Sequence, residues 1–377
     1  MPWLLLIFTL LFGGCSDPAP APRDTPQLSL SDTLGAEESA GYARALAPRP
    51  FVFPADHGPH PEFKTEWWYY TGNLAAEDGR RFGYQLTFFR IALTPEPIPR
   101  PSAWAASQLT MAHFAVTDAN GKRFVSSERF ARNALGLAGA QAAPFRVWLE
   151  DWQASGPQQT FPMRLQAGSK QAAIDFTLEP GKPVVLQGER GLSRKSAEAG
   201  NASYYYSLTR MPTRGTLRLG DEEFQLVGHS WLDREWSTSA LAPDQTGWDW
   251  FALQLDDGHE LMYYQLRRQD GSPDPASAGV WVRPDGSSQG LGQGDLTLVS
   301  TKTWPSPRGG SYPSAWRLRV GRESLDLTIE PLLADQELDV TIRYWEGAVK
   351  ISGERNGQPV SGYGYVELTG YAEEGGE

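Results

Sequence analysis

The side chains best suited to acid–base chemistry lie together at residues 228–236. In an extended chain, one face of this segment carries His229, Trp231, Asp233 and Glu235. Burying a carboxyl group in apolar surroundings raises its pKa and can give a general acid near neutral pH. For His229 and Trp231, a catalytic and a structural role fit the pattern equally well. For Asp233 and Arg234, the pattern favours a turn or ion pairs at a domain junction.

A second cluster, at residues 66–74, joins one acid to a run of aromatic rings. Glu66 is followed by Trp67, Trp68, Tyr69 and Tyr70, so both faces of a strand would carry rings. One face fits a core, and the other needs a second layer or an apolar ligand. We therefore predict ligand contacts from Glu66, Trp67 and Tyr69. The alternative is that Glu66 pairs with an arginine and the rings simply fill a barrel.

A third segment, residues 247–267, predicts a hairpin that turns at an Asp-Gly pair. Asp249 lies between Trp248 and Trp250, which we predict as ligand contacts. Tyr263 and Gln265 share one face of the return strand. His259, next to the turn, is expected to be solvated.

Other chemistries lack their signatures. The chain has no His-Glu-x-x-His or phosphate-loop motif. His57 and His60 lie in a Pro/Gly segment without a nearby third ligand, which favours a surface loop over a metal site. A net charge of −11 excludes a strongly basic nucleic-acid-binding protein. We expect neither a metal nor a cofactor.

The elements that position these residues are predicted to be strands. Hydrophobic alternation at residues 82–88 and 109–116 recurs along the chain between Gly-containing turns. The best helix candidate is residues 127–137. A break near residues 238–247 divides a domain at 51–240 from a smaller one at 241–377. Two consecutive antiparallel sheets curled into barrels fit this pattern, because closure removes unpaired edges.

The amino terminus predicts export and a lipid anchor. Residues 1–14 form a signal peptide too short to span a bilayer, and Leu-Phe-Gly-Gly-Cys at 11–15 resembles a lipobox. Cys15 is the only cysteine. Residues 15–50 are rich in Pro, Ala and Ser and predict a flexible tether. Ser16 favours the outer membrane, so we expect a lipid-anchored, periplasm-facing envelope protein.

The combination of motifs resembles the CrtC/AttH-like family, which includes the carotenoid 1,2-hydratases. The resemblance covers about residues 50–372 and rests on the runs at 66–74, 84–89, 112–118, 228–236 and 247–251. It implies an all-β fold of two consecutive lipocalin-like antiparallel barrels. It also implies envelope proteins whose genes often lie beside those of an ABC-type permease.

The resemblance also implies catalytic residues. The family's His-x-Trp is matched by His229 and Trp231, and its Tyr-x-Asp by Tyr263 and Gln265. An amide at Gln265 cannot donate the proton that starts alkene hydration, so we expect no hydration if this match holds. Otherwise Asp249 or Asp256 would have to supply the proton.

Two functions remain open from the sequence. The favoured one is a lipid-anchored module that binds a large apolar, isoprenoid- or lipid-like ligand or serves an ABC-type transporter. The alternative is a cofactor-independent hydratase that acts on an isoprenoid double bond. For either function, His229, Trp231 and Tyr263 are expected to meet near the domain interface.

Lipidation of Cys15 is directly testable. The mature chain is expected to begin at a lipid-modified Cys15 and to partition with membranes. Mass spectrometry of the amino-terminal peptide checks this, with Cys15→Ala as the control. An unmodified soluble chain of unchanged location would contradict the prediction.

Overall fold

The computed structural model describes residues 40–96, 101–239 and 241–372. The predicted signal peptide and Cys15 lie outside these ranges. Within them, the regular elements are strands and three short 3-10 turns, and no helix is long and apolar enough to cross a membrane. The all-β prediction is confirmed.

The first half of the chain forms one antiparallel sheet of 13 strands. Its principal path runs β4-β3-β2-β1-β13-β12-β9-β8-β7-β6-β5, and β10 and β11 pair with β12. The strands are β1 Thr65–Ala76, β2 Arg81–Ala92, β3 Gln108–Asp118, β4 Arg123–Arg132, β5 Ala138–Gln141, β6 Arg146–Leu149, β7 Trp152–Ser155, β8 Met163–Gly168, β9 Ala172–Leu178, β10 Val185–Leu186, β11 Leu192–Arg194, β12 Ala202–Leu219 and β13 Glu222–Ser237.

The second half forms a sheet of 10 strands in the order β17-β16-β15-β14-β23-β22-β20-β19-β18, with β21 paired to β22. The strands are β14 Gln245–Leu255, β15 Glu260–Arg268, β16 Ala278–Val282, β17 Ser288–Gly292, β18 Thr297–Pro305, β19 Ser311–Val320, β20 Leu325–Pro331, β21 Glu337–Leu338, β22 Tyr344–Arg355 and β23 Gln358–Leu368. Each sheet curls around its own apolar core, which gives two lipocalin-like barrels.

Alternation along the strands builds a third apolar layer between the barrels. In β1, Trp68 and Tyr70 point into the first core, while Tyr69 packs outside it with Trp231. In β14, Phe251 points into the second core, while Trp250 joins the layer between the barrels. The two rows of rings predicted for residues 66–74 thus fill two different spaces.

Two local predictions were wrong. Residues 127–137 form the end of β4 and a turn, because β4 pairs along its length with β3 and both Leu135 and Gly136 adopt positive φ. His57 and His60 are buried rather than on the surface. His57 Nδ1 lies 2.6 Å from the Tyr206 hydroxyl, and the His60 ring stacks on Trp236 at 3.7 Å between centroids.

The described end of the predicted tether, residues 40–50, packs on the first barrel. The Ala43 amide donates to the carbonyl of Glu62 at 2.8 Å. Ala45 is buried in the first core. The chain therefore joins this barrel before residue 51.

Candidate functional site

A cavity between the two barrels brings aromatic rings and ionisable groups together. Its volume is about 80 Å³. This is several times the roughly 10–15 Å³ that one water needs. The aromatic lining comprises Trp67, Tyr69, Phe89, Tyr205, Trp248, Trp250 and Tyr264. Besides these rings, the lining contains the acids Asp233, Glu235 and Glu367 and the base Lys195. We call this space the interdomain cavity.

Strand register places these groups on facing walls. On the first sheet, Tyr69 of β1 lies directly opposite Asp233 of β13, and Tyr205 of β12 lies opposite Glu235. On the second sheet, Trp250 of β14 lies opposite Glu367 of β23. Because alternate residues share a face, each wall presents a ring beside an acid.

Asp233 is a buried carboxyl group without a cationic partner in the described structure. It accepts hydrogen bonds from Trp231 Nε1 at 2.7 Å, from Ser207 Oγ at 2.5 Å and from the Tyr205 hydroxyl. Burial outweighs these bonds and raises its pKa to about 7. Asp233 is therefore a carboxylic acid that can give up its proton near neutral pH.

A second acid, Glu367, lines the opposite wall, and Glu346 lies beside it. Glu346 and Glu367 are cross-strand neighbours on β22 and β23. Glu367 accepts a hydrogen bond from Trp248 Nε1 at 2.6 Å, and Glu346 accepts one from the Tyr69 hydroxyl. Burial raises the pKa of Glu367 to about 7, and burial together with the charge of Glu367 raises that of Glu346 well above its usual range. Like charges this close favour retention of a proton by the pair.

Lys195, the cationic side chain in the cavity lining, already forms an ion pair with Glu235. Lys195 Nζ lies 2.9 Å from Glu235 Oε1 and 4.3 Å from the centroid of the Tyr264 ring. Burial acts against the charge on Lys195, but the attraction and hydrogen bond of Glu235, together with contributions from Tyr264 and Asp233, outweigh it and raise the lysine pKa. Asp233, Glu346 and Glu367 form no ion pair with a described residue, and their raised pKa values favour the protonated forms of acids that lie at or beside the cavity.

The raised pKa of Asp233 predicts a stability effect. The folded protein binds this proton more tightly than the unfolded chain, so burying the carboxylate costs stability as pH rises from 3.8 towards about 7. Asparagine has no such proton. Asp233→Asn is therefore expected to gain about 2 to 3 kcal/mol relative to the wild type between about pH 5 and pH 8. Urea unfolding of both proteins at both pH values measures this, and a pH-independent difference would contradict it.

The structure gathers part of the predicted site. Trp67, Tyr69, Trp248 and Trp250 all line the interdomain cavity. Trp231 lies beside it, bonded to Asp233 and packed edge-on to Trp250 at 6.5 Å. Asp233, for which the sequence favoured a turn or an ion pair, is instead the central acid.

The other predicted residues lie elsewhere. His229 is exposed on β13, whereas Tyr263 is buried in the second core, so the two do not meet. Gln265 is half-buried opposite Asp249, whose carboxylate pairs with Arg267 and accepts from the Tyr371 hydroxyl at 3.0 Å. None of these four lines the cavity.

Glu66 and His259 also differ from expectation. Glu66 faces the interior of the first barrel and pairs with Arg90 and Arg234, so the arginine-paired alternative holds. His259 is buried and stacks on Trp281 at 4.8 Å between ring centroids.

Sequence reasoning missed Tyr205, Lys195, Glu346 and Glu367. One signal was present: Tyr363, Tyr365 and Glu367 alternate along β23, which places an acid on an aromatic face. The other three come from separate strands and loops, with no local pattern that marks them as neighbours.

The protein is thus an all-β protein of two lipocalin-like barrels with a cavity between them. Comparison with known proteins identifies its family. The sequence model of the AttH-like family matches residues 44–371, and the chain belongs to that family. A crystal structure assigned as AttH from Nitrosomonas europaea is 36% identical, covers 87% of this chain and 100% of its own, and superposes with a TM-score of 0.78.

More distant structures share the fold. Kievitone hydratase from Nectria haematococca is 16% identical with a TM-score of 0.66, over 86% of this chain and 94% of its own. CghA, solved with Sch210972, is 13% identical with a TM-score of 0.52, over 93% of this chain and 99% of its own. Among curated protein sequences, none matches this chain significantly.

Proposed function

We propose that the interdomain cavity binds an apolar, unsaturated ligand and adds water across one of its double bonds without a cofactor. The observation that carries this proposal is Asp233, a buried acid with a pKa raised to about 7 on the wall of an aromatic cavity. A site that only held a ligand would gain nothing from this group, whose burial in the charged form is costly.

The chemistry needs an acid, a shelter for positive charge and a base. Protonated Asp233 would donate its proton to one alkene carbon, leaving a carbocation on the other. The ring of Trp250 suits that cation, since aromatic rings attract positive charge. Water then forms the new C–O bond and loses a proton to the Asp233 carboxylate, which restores the acid for the next cycle. Alkene and water are thereby converted into an alcohol.

Two measurements test the proposal. Native mass spectrometry of the protein recovered from its own membranes shows whether an apolar molecule copurifies. Incubation with acyclic carotenoids and shorter isoprenoids in ¹⁸O-labelled water, followed by product mass, shows whether the label enters an alcohol. A copurified ligand that is never hydrated would favour the binding module instead.

The cellular setting expected from the sequence stays part of the proposal. A lipid anchor at Cys15, an outer-membrane location facing the periplasm and service to an ABC-type permease would bring the cavity to membrane-derived ligands. Neighbouring genes discriminate between the two functions: a permease supports the transport role, and an isoprenoid pathway supports the enzyme.

Gln265 provides a separate test of the proton donor. Because Gln265 lies opposite Asp249 and does not line the cavity, Gln265→Asp is expected neither to raise hydration nor to restore it in Asp233→Asn. A second acid facing Asp249 across the strands should instead lower stability by up to about 1 kcal/mol. Activity assays and urea unfolding of the single and double variants measure both effects. A gain in hydration in Gln265→Asp would indicate that residue 265 occupies the position of the proton donor.

A further inference from the structure

A second cavity lies inside the first barrel, away from the interdomain cavity. Its volume is about 220 Å³, enough for more than a single water, which needs roughly 10–15 Å³. Trp68, Arg90 and Thr110 line it from β1, β2 and β3, and Ala140 and Trp148 line it from β5 and β6. We call this space the barrel cavity.

The charges beside the barrel cavity do not balance. The buried guanidinium groups of Arg90 and Arg234 share the single carboxylate of Glu66. The other buried acid of this region, Asp56, is engaged by Arg49 at 2.7 Å and by His60 at 3.0 Å. Three arginines, Arg49, Arg90 and Arg234, therefore share two carboxylates, which leaves one positive charge in excess.

Both oxygens of Glu66 already accept hydrogen bonds, so this carboxylate cannot satisfy the remaining N–H groups of the two arginines. Its two oxygens accept from Arg90 Nε and Arg234 Nη2, and both also lie within 3.1 Å of the His60 amide. Arg90 Nη2 is used by the carbonyls of His60 at 3.1 Å and Phe63 at 2.7 Å. Arg90 Nη1 is buried and has no hydrogen-bond partner among the described residues.

The remaining lining suits the body of a small organic anion. Trp68 and Trp148 offer ring surface, and Ala138, Ala140 and Val147 add small apolar side chains. Thr110, Gln108 and Asn133 form a polar margin, in which the Thr110 hydroxyl donates to Asn133 Oδ1 at 2.7 Å. A carboxylate could neutralise the excess charge at Arg90 while its apolar part contacts the rings.

We propose that the barrel cavity is a binding site for a small organic carboxylate, recognised by Arg90 and held between Trp68 and Trp148. This site is separate from the proposed hydration site. Trp68 of β1 faces the interior of the first barrel, whereas Tyr69, on the opposite face of β1, lines the interdomain cavity. The first barrel would thus bind a ligand independently of the interdomain cavity.

Calorimetric titration of the purified full chain tests this, with benzoate and hexanoate as anionic probes and benzamide as the neutral match for benzoate. Saturable benzoate binding is expected, and benzamide should bind at least about ten-fold more weakly, because hydrogen bonds to charged groups are the stronger ones. Arg90→Gln should weaken benzoate binding by about ten-fold or more. Lys195→Met, at the interdomain cavity, and Trp104→Ala, an exposed ring, should leave it unchanged.

Arg90→Gln also removes a partner of Glu66, so a second variant is needed. Ala140→Leu fills the barrel cavity without altering any charge and should abolish binding while circular dichroism stays that of the wild type. Equal affinity for benzoate and benzamide, loss of binding in Lys195→Met, or no saturable binding of either anion would overturn the proposal. In the last case, the cavity would hold water only.

Discussion

Replacing Asp233 with asparagine is expected to lower the rate of hydration about 10²–10⁴-fold, the usual contribution of a positioned general acid. The amide keeps the size of the carboxyl group and can still meet Trp231 and Ser207, but it has no acidic proton to transfer. The fold should therefore survive while the chemical step fails. Steady-state rates with whichever isoprenoid the wild type hydrates measure the loss.

The pH profile separates this role from a structural one. Asp233 must be protonated to act, so the wild-type rate should be highest below its pKa of about 7 and fall above it. Infrared difference spectra should show a protonated carboxyl band that disappears as pH rises and is missing in Asp233→Asn. Asp175→Asn, at an exposed carboxylate paired with Arg164, is the matched control. Full activity in Asp233→Asn, with loss in Glu367→Gln, would assign the donor to Glu367.

Much of the fold was predictable because strand alternation is a local property. Phe82, Tyr84, Leu86 and Phe88 read as one face of a strand, and all four lie in the first core. The error at residues 127–137 arose where the pattern is weak. In β4 only two of the ten residues are buried, so pairing with β3 rather than hydrophobic periodicity defines the strand.

The site was less predictable because it depends on which faces meet. Alternation places Asp233 and Trp231 on one face, and both lie between the barrels. The same alternation includes His229, but that end of β13 is exposed. Glu346 and Glu367 reach the site from the last two strands, more than 100 residues from Asp233 in sequence. Only the packing of one barrel on the other brings these acids together.

The largest stability effect is expected at Glu66, which the sequence offered as a ligand contact and the structure places at the centre of a buried ion cluster. Glu66→Gln preserves shape but leaves Arg90 and Arg234 without their shared carboxylate. Loss of one partner from a buried ion pair costs about 3–5 kcal/mol, because the remaining charge stays desolvated.

Urea unfolding should therefore show Glu66→Gln destabilised by about that amount, and Glu222→Gln by no more than about 1 kcal/mol. Glu222 is the matched control because it pairs with Arg80 at 3.3 Å but is exposed. Arg234 and Arg90 hold the pKa of Glu66 far below its usual range against the opposing effect of burial. The carboxylate thus stays charged, and the loss should persist from about pH 5 to pH 8. A Glu66→Gln protein as stable as Glu222→Gln would mean that water or a bound anion already compensates the two arginines.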